Sequence, residues 1–144
     1  MSLVRDVLKN KDVKVWTIDC GATALEATIQ MNEHRVGALV VMDGDKIAGI
    51  FTERDLLNRV VAAKKDPSAT PIRDVMTSRL ACCTLDTTVE ECRTVMTSHK
   101  MRHLPVVEND KLLGMMSSGD ILARKVVDHE ETIRYLHEYM HGTS

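Results

Sequence analysis

The chain of 144 residues is 44% hydrophobic and 28% charged, with a formal net charge of −2, as is typical of a soluble globular protein made of one domain or two small subdomains. Acidic and basic residues are interspersed, and aromatic residues are rare (one Phe, one Trp and two Tyr), which argues against a nucleic-acid interface or a membrane-surface patch. The longest apolar stretch, around residues 38–42, is too short to span a bilayer, and the N-terminus lacks the apolar segment of a signal peptide. A cytoplasmic protein with small molecules or proteins as partners is therefore expected.

The four cysteines, Cys20, Cys82, Cys83 and Cys92, form no Cys-x-x-Cys pair, so the sequence favours neither a disulfide framework nor a zinc site. Three of them fall where the surrounding pattern requires an apolar or small residue, and a buried free thiol packs as a small hydrophobic group. Structural thiols are therefore favoured over a redox role, and no metal site is predicted.

The first half of the chain has five predicted elements. Thr23 and Glu26 form the capping box of a helix that runs to about His34, and Asp43-Gly44-Asp45 is a hairpin turn between two strands. The predicted order is strand, helix, strand, strand, helix, at residues 13–18, 23–34, 36–42, 46–51 and from 52 onwards.

The second half repeats the first. Residues 16–61 align without gaps with residues 81–126, at a spacing of 65, and thirteen aligned positions are identical. Residues 4–8 are also similar in sequence to residues 72–76. This similarity predicts a short helical turn at the start of each half. The second half should therefore contain the same five elements, at residues 81–83, from 88 onwards, 104–107, 111–116 and from 117 onwards.

These patterns divide the chain into four parts: repeat 1 at residues 3–63, a polar linker with two prolines at 64–71, repeat 2 at 72–127 and a helical tail at 128–144. Neither half could bury much apolar surface alone, so we expect an α/β (α+β) fold in which two pseudo-two-fold repeats pack sheet to sheet around one shared core. The tail is expected to be an added helix over residues 128–140. Its apolar residues, which cover this protomer or a partner, are Ile133, Leu136, Tyr139 and Met140.

Each repeat closes with the motif Gly-x-x-Ser/Thr-x-x-Asp. It occurs as Gly49-x-x-Thr52-x-x-Asp55 and again as Gly114-x-x-Ser117-x-x-Asp120. The hydroxyl and the carboxylate can form a capping box, which stabilises a helix by about 1 kcal/mol. The glycine favours a second interpretation, since it would let a ligand approach the backbone where a strand gives way to a helix.

This repeat, with its element order and closing motif, resembles the cystathionine β-synthase (CBS) domain, in the tandem form called a Bateman module, over roughly residues 3–127. The resemblance implies a regulatory, non-catalytic module that binds an adenosine-containing ligand in clefts between the repeats and transmits the occupancy to a partner protein. The ligands it implies are AMP, ADP, ATP, S-adenosylmethionine and NAD. It also implies pairing into homodimers.

The resemblance further implies a set of nucleotide-binding residues. Asp55 and Asp120 would accept hydrogen bonds from the ribose hydroxyls, and Thr52 and Ser117 would lie at the ribose and phosphate. Arg54 would offer a cation to a phosphate. The remaining candidates lie on the first and second strands of each repeat: Thr17, Ile18, Val36, Gly37, Ala38, Cys82, Cys83, Met101, Arg102, His103 and Pro105.

The two clefts are not expected to be equivalent, because Arg54 corresponds to Gly119 and Gly37-Ala38 corresponds to Arg102-His103. Two alternatives to nucleotide binding stay open. One is a protein-interaction or dimerisation scaffold with empty clefts, acting through its tail helix and the Cys82/Cys83 surface. The other is an enzyme, but no nucleophile in the sequence has a recognisable base and orienting partner.

Overall fold

The computed structural model describes residues 2–10, 15–78 and 80–141. The start of the predicted first strand, at residues 13–14, and the last residues of the predicted tail, 142–144, lie outside this part of the chain. Helix α1 (Val4–Lys9) opens the fold, and two short 3₁₀ turns (Pro67–Ala69 and Ile72–Asp74) follow the first half. Within the described ranges, no helix is both long and apolar enough to cross a bilayer.

The first half forms a three-stranded sheet of order β1-β2-β3. Strand β1 (Thr17–Asp19) pairs in parallel with β2 (Ala38–Asp43), which pairs antiparallel with β3 (Lys46–Thr52). Helix α2 (Ala24–His34) makes the crossover between β1 and β2. The predicted helix and hairpin of this half are thus confirmed, with boundaries shifted by one or two residues.

The capping boxes that the sequence predicts are formed in both crossover helices. The Thr23 hydroxyl accepts a hydrogen bond from the Glu26 N–H at 3.1 Å, and the Glu26 carboxylate accepts one from the Thr23 N–H at 3.3 Å. Thr88 and Glu91 repeat this arrangement at the start of the second crossover helix. These reciprocal bonds satisfy N–H groups that a helix start would otherwise leave unpaired.

The second half has helix α4 (Val89–His99) and a two-stranded sheet of β4 (His103–Glu108) and β5 (Lys111–Ser117). The predicted strand at 81–83 is wrong, because this segment makes only a single parallel bridge between Cys83 and Val106.

Pro105 explains the loss of this strand. In the first half, the Val40 N–H donates to the Trp16 carbonyl at 3.1 Å and extends the parallel ladder. The position equivalent to Val40 in the second half is Pro105, which has no N–H to donate to residue 81. The ladder is therefore reduced to the bonds on either side of Cys83, in which the Cys83 N–H donates to the Pro105 carbonyl and the Val107 N–H donates to the Cys83 carbonyl, both at 2.9 Å.

The closing helices of the two halves differ from each other. After Thr52 the chain makes one helical turn, α3 (Glu53–Asp55), and continues as a π-helix over Leu56–Val61, where the Ala62 N–H bonds to the Leu57 carbonyl five residues back. In the second half, α5 (Ser118–His141) is one α-helix of 24 residues. The predicted tail is therefore a continuation of this helix and not an added one. The side chains of Ile133, Leu136, Tyr139 and Met140 lie outside the side chains that the structure describes.

The segments that lead into each repeat, residues 3–8 and 71–77, are called the lead-in segments here. They are exchanged between the halves. In the N-terminal segment, Leu3 bridges to Thr88 of the second half, and Val4 is fully buried in that half's core. The segment after the linker does the reverse, since Pro71 bridges to Thr23 and the following residues are buried in the core of the first half. The sequence echo between residues 4–8 and 72–76 is thus a structural equivalence, but each copy packs on the other repeat.

The buried side chains form two clusters and not the single shared core that was expected. One cluster belongs to the first half and is completed by Ile72 and Val75. The other belongs to the second half and is completed by Val4. Because each core contains residues from the other half's lead-in, the two repeats are joined by exchange of these segments.

Candidate functional site

A cleft of about 1100 Å³ lies between the two halves. The first half contributes the end of β3 with Thr52, the turn α3 and the polar face of the π-helix. The second half contributes the end of α4, the start of β4 with Arg102 and His103, and the start of α5. Its size is that of a small-molecule site, and both repeats form its walls.

Seven of the sixteen predicted site residues line this cleft and nine do not. The seven are Gly37, Thr52, Arg54, Asp55, Met101, Arg102 and His103. The nine that do not line it are Thr17, Ile18, Val36, Ala38, Cys82, Cys83, Pro105, Ser117 and Asp120. Asp55 is therefore brought together with Arg102 and His103 of the opposite repeat, while the equivalent Asp120 lies elsewhere.

Three of the nine are buried in the protein. Ala38 is 8% exposed, Cys83 is 4% exposed and Pro105 is fully buried. The Cys83 thiol donates to the Pro105 carbonyl at 3.6 Å and is hydrogen-bonded to Cys92. The assignment of these three residues to a nucleotide site stays a prediction, as does that of the other six.

Asp55 is the most constrained polar residue of the cleft, with 6% of its surface exposed. Its Oδ2 accepts hydrogen bonds from the Thr52 N–H at 3.0 Å and the Thr52 hydroxyl at 3.2 Å. Its Oδ1 accepts one from the Thr77 hydroxyl at 3.1 Å and lies 3.7 Å from the Arg59 guanidinium. A carboxylate has about four lone-pair sites, so this one is close to saturated by the protein.

The capping-box interpretation of the closing motif is correct in both repeats. The Asp55 N–H donates to the Thr52 hydroxyl at 3.2 Å. In the second repeat, the Ser117 N–H donates to Asp120 Oδ2 at 2.8 Å, and the Asp120 N–H donates to the Ser117 hydroxyl at 3.1 Å. The motif thus has a local structural role whether or not a ligand is bound.

The glycine of the motif is required by the protein's own packing. A Cβ atom at Gly49 would lie 2.6 Å from the Thr77 carbonyl oxygen and 2.8 Å from the Met76 sulfur. At Gly114 it would lie 3.0 Å from the side chain of Leu8, which is the counterpart of Met76 in the exchanged lead-in. The expectation that these glycines let a ligand approach the backbone is therefore wrong, since lead-in segments occupy the space.

The cleft is strongly basic although the chain has a net charge of −2. It is lined by six arginine or lysine residues against two acidic residues, Glu53 and Asp55, an excess of four positive charges. Arg59 pairs with Asp55, and Arg93 and Lys125 lie 2.9 and 3.9 Å from Glu90 at the margin. The other three basic residues, which form no ion pair within the described part of the chain, are Arg54, Lys100 and Arg102.

The sequence reasoning missed several of the residues that shape the cleft. Thr77 lies just beyond the sequence echo, 22 residues from Asp55, and no local pattern connects the two. Arg59 sits one turn after Asp55 and could have been found from its i, i+4 spacing. Lys100 directly precedes the predicted Met101-Arg102-His103 stretch. The basic residues at 100 and 102 could have indicated that Lys100 also belongs to the site.

The cysteines are free thiols, and none of them is among the residues that line the cleft. Cys83 and Cys92 are buried in the core of the second half, whereas Cys82 is exposed. The hydrogen bond with Cys92, together with burial, raises the pKa of the Cys83 thiol above its ordinary value. The two buried thiols act as small core residues, as the sequence analysis expected.

The fold and site define a tandem pair of β-α-β-β-α repeats that enclose a cleft between them. The CBS domain of known protein families matches the chain twice, at residues 4–62 and 72–127. The chain therefore belongs to the CBS-domain family.

Relatives and solved structures agree with this assignment. A mitochondrial CBS domain-containing protein of Arabidopsis thaliana is 33% identical over 150 residues, covering 96% of this chain and 72% of the relative. A CBS domain-containing protein of Bacillus subtilis is 30% identical and covers 88% and 87%. The structure of a putative signal-transduction protein with CBS domains from Burkholderia ambifaria is 36% identical, with a TM-score of 0.85 and coverage of 88% and 96%.

Proposed function

We propose that this protein is a regulatory module that binds an adenosine-containing ligand (AMP, ADP, ATP, NAD or S-adenosylmethionine) in the cleft between its two CBS repeats. The observation that carries the proposal is the composition of the cleft, in which Thr52 and Asp55 of one repeat face Arg102 and His103 of the other. A ligand that touches both walls would favour one arrangement of the repeats. Its occupancy could then be transmitted to a partner protein by linkage.

The ribose is proposed to lie at Asp55. A vicinal diol offers two donors, and a carboxylate accepts both. Because Oδ1 of Asp55 accepts a hydrogen bond from Thr77 and lies 3.7 Å from Arg59, ribose binding at this oxygen requires that one of these contacts be broken. Thr77 belongs to the exchanged lead-in segment, and its backbone pairs with Ile50 at 2.8 and 2.9 Å. Loss of the Thr77 contact on ligand binding would therefore couple the cleft to the segment that follows the linker.

A second, weaker site is proposed at the pseudo-equivalent position. Ser117 and Asp120 would take the roles of Thr52 and Asp55 there, beside Val36 from the first half. The basic side chain at residue 54 is replaced by Gly119 at this position. The second site therefore lacks one phosphate contact of the first.

The protein is proposed to act without catalysis and in the cytoplasm. Within the cleft lining, the hydroxyl groups of Thr52 and Thr77 both donate to Asp55, whose carboxylate also accepts the Thr52 N–H of the capping box, so we assign these groups a structural role. All four cysteines are free thiols, which is the state expected in a reducing compartment.

A thermal-shift screen with AMP, ADP, ATP, NAD and S-adenosylmethionine tests the proposal. A ligand present at 100 times its dissociation constant stabilises a protein by about 2.7 kcal/mol, so at least one compound should raise the melting temperature in a saturable way. If none does at millimolar concentration, the ligand-free scaffold becomes the better account.

A homodimer is the proposed assembly, and exposed apolar side chains on the closing helices support it. Leu57, Val61, Leu122 and Val126 are 48–65% exposed, and they occupy equivalent positions in the two repeats. Such a symmetric apolar surface suits a second copy of the chain. Hexameric assembly is described for a CBS-CP12 protein of bloom-forming cyanobacteria, which is 26% identical with a TM-score of 0.75.

Sedimentation analysis tests the assembly. We expect the protein to sediment as a dimer and the Val61→Glu/Val126→Glu double variant, which leaves the cleft lining intact, to sediment as a monomer. Leu113→Glu, at a position 46% exposed on β5, is the matched control and should remain dimeric. A wild-type monomer at all concentrations, or a double variant that stays dimeric, contradicts this surface.

A further inference from the structure

The cleft carries more positive charge than an adenosine group needs. A ribose and an adenine are neutral, and a single phosphate carries at most two negative charges. Six basic and two acidic residues nevertheless line the cleft, in a protein that is acidic overall, and three of the six basic residues pair with no carboxylate in the described part of the chain. Like charges that converge on one cleft repel each other, so this arrangement lowers the stability of the empty protein unless an anion compensates it.

The three basic residues without an ion pair distinguish a ligand site from an ordinary charged surface. Arg59, Arg93 and Lys125 each have a carboxylate within 4 Å, as surface cations commonly do. Arg54, Lys100 and Arg102 have none within the described residues. Three uncompensated cations on the walls of one cleft form a site for an anion with several charged groups.

The three cations come from both walls of the cleft. Arg54 lies on the first half, next to Asp55, whereas Lys100 and Arg102 lie on the second half, between α4 and β4. A compact anion at one wall would contact one side only. A linear chain of phosphates can extend from the wall of Asp55 to the opposite wall, where arginine binds phosphate oxygens through two parallel hydrogen bonds.

We propose that the cleft selects its ligand by the phosphate chain, taking a nucleoside di- or triphosphate through Arg54, Lys100 and Arg102 and rejecting S-adenosylmethionine. This inference rests on the proposed function and narrows it. S-adenosylmethionine has no phosphate, and its sulfonium and ammonium cations outweigh its one carboxylate, so the basic lining disfavours it. AMP offers one phosphate and so leaves the opposite wall without a partner.

Calorimetric titration with ATP, ADP, AMP and S-adenosylmethionine tests the selection. One further charge-assisted hydrogen bond corresponds to roughly a tenfold change in affinity or more, so ATP should bind at least about tenfold more tightly than AMP. The ratio should fall as salt is raised, because the cations are exposed and screened. S-adenosylmethionine should give no saturable heat.

Charge-removing variants identify the residues. Arg54→Gln and Arg102→Gln should each lower the affinity for ATP roughly tenfold and change that for AMP less. Lys65→Gln removes the same charge from the exposed linker, outside the cleft, and should leave both affinities unchanged. Equal losses for ATP and AMP in the cleft variants, or no loss in either, would overturn the phosphate selection.

The outcomes separate this inference from the proposed function. If AMP or S-adenosylmethionine binds as tightly as ATP, the phosphate selection is wrong and the nucleotide-binding function stands. If no adenosine compound binds but inorganic tripolyphosphate does, the basic cleft is a polyphosphate site and the nucleotide proposal fails. If neither binds, both proposals are wrong.

Discussion

The Thr77 hydroxyl donates a hydrogen bond to the Asp55 carboxylate at 3.1 Å, across 22 residues of sequence. It joins the segment that follows the linker to the residue on which the candidate ribose site depends. Because Asp55 is also bonded to Thr52 and Arg59, the carboxylate connects the strand end, the closing helix and the lead-in at one point.

Replacing Thr77 by valine should destabilise the protein by about 1 kcal/mol, since it removes a hydrogen bond to a nearly buried carboxylate while keeping the side-chain shape. Urea denaturation measures the change. Thr94→Val is the control, because Thr94 is exposed and its hydroxyl donates to the Glu90 carbonyl of its own helix. Equal effects of the two variants would contradict a special role for the bond to Asp55.

Gly49→Ala should cost about 1–3 kcal/mol, the usual range for overpacking. The new methyl group would lie 2.6 Å from the Thr77 carbonyl oxygen, which cannot retreat without losing its bond from the Ile50 N–H. Gly119→Ala is the matched control. A Cβ there meets only the Ser117 hydroxyl at 3.6 Å, and alanine in a helix should be neutral or stabilising by up to about 1 kcal/mol. A Gly49 variant as stable as the wild type would show that the lead-in does not pack as described.

The exchange of lead-in segments predicts the behaviour of half-chains. Fragment 1–63 lacks Ile72 and Val75, and fragment 64–144 lacks Val4, all of which are buried in the respective cores. Each fragment alone should therefore be largely unfolded by circular dichroism, and an equimolar mixture should gain helical signal and unfold cooperatively. Cooperative unfolding of either fragment by itself would contradict the exchange.

The buried thiol pair predicts a loss of stability in alkali. The hydrogen bond between the two thiols raises the pKa of Cys83 and lowers that of Cys92, and burial acts to raise both. Above the unfolded thiol's pKa of about 8.5, the unfolded chain therefore releases a proton that Cys83 keeps in the folded chain. The stability that Cys83 contributes is lost as the pH rises further.

Urea denaturation of wild type and Cys83→Ala at pH 7 and pH 9.5 measures this effect. The variant is expected to be less stable at pH 7 and to lose less stability between the two pH values. An identical loss in both proteins would show that Cys83 does not cause the alkaline decline.

The elements that were predicted from the sequence are the ones that depend on local contacts or on the repeat. Capping boxes involve residues three apart, and the turn at Gly44, where φ is +62°, needs a residue that tolerates positive φ. The internal repeat then predicted the same elements in the second half, and all but the strand at 81–83 are formed there. Each of these features can be predicted from a pattern of a few neighbouring residues.

The features that were missed depend on contacts between distant residues. The exchange of the lead-ins is invisible in the sequence echo, which shows that two segments are alike but not where each packs. The Thr77–Asp55 bond and the π-helix over Leu56–Val61 likewise have no local pattern. The lost strand at 81–83 is an exception, because Pro105 in place of Val40 already forbids one ladder bond.

A pair of matched variants tests most directly whether a nucleotide occupies the cleft that contains Asp55. Asp55→Ala and Asp120→Ala each remove the carboxylate of an equivalent capping box. Asp55→Ala also removes the contacts with Thr77 and Arg59, so it is expected to be the less stable of the two variants. Only Asp55 lines the cleft.

Calorimetric titration of ATP into wild type and both variants, at a temperature where circular dichroism shows all three folded, gives the result. We predict that Asp55→Ala loses tenfold or more in affinity, roughly the effect of removing a charge-assisted hydrogen bond, and that Asp120→Ala loses much less. Unchanged affinity in Asp55→Ala, or a loss of the same size in both variants, would contradict binding in this cleft.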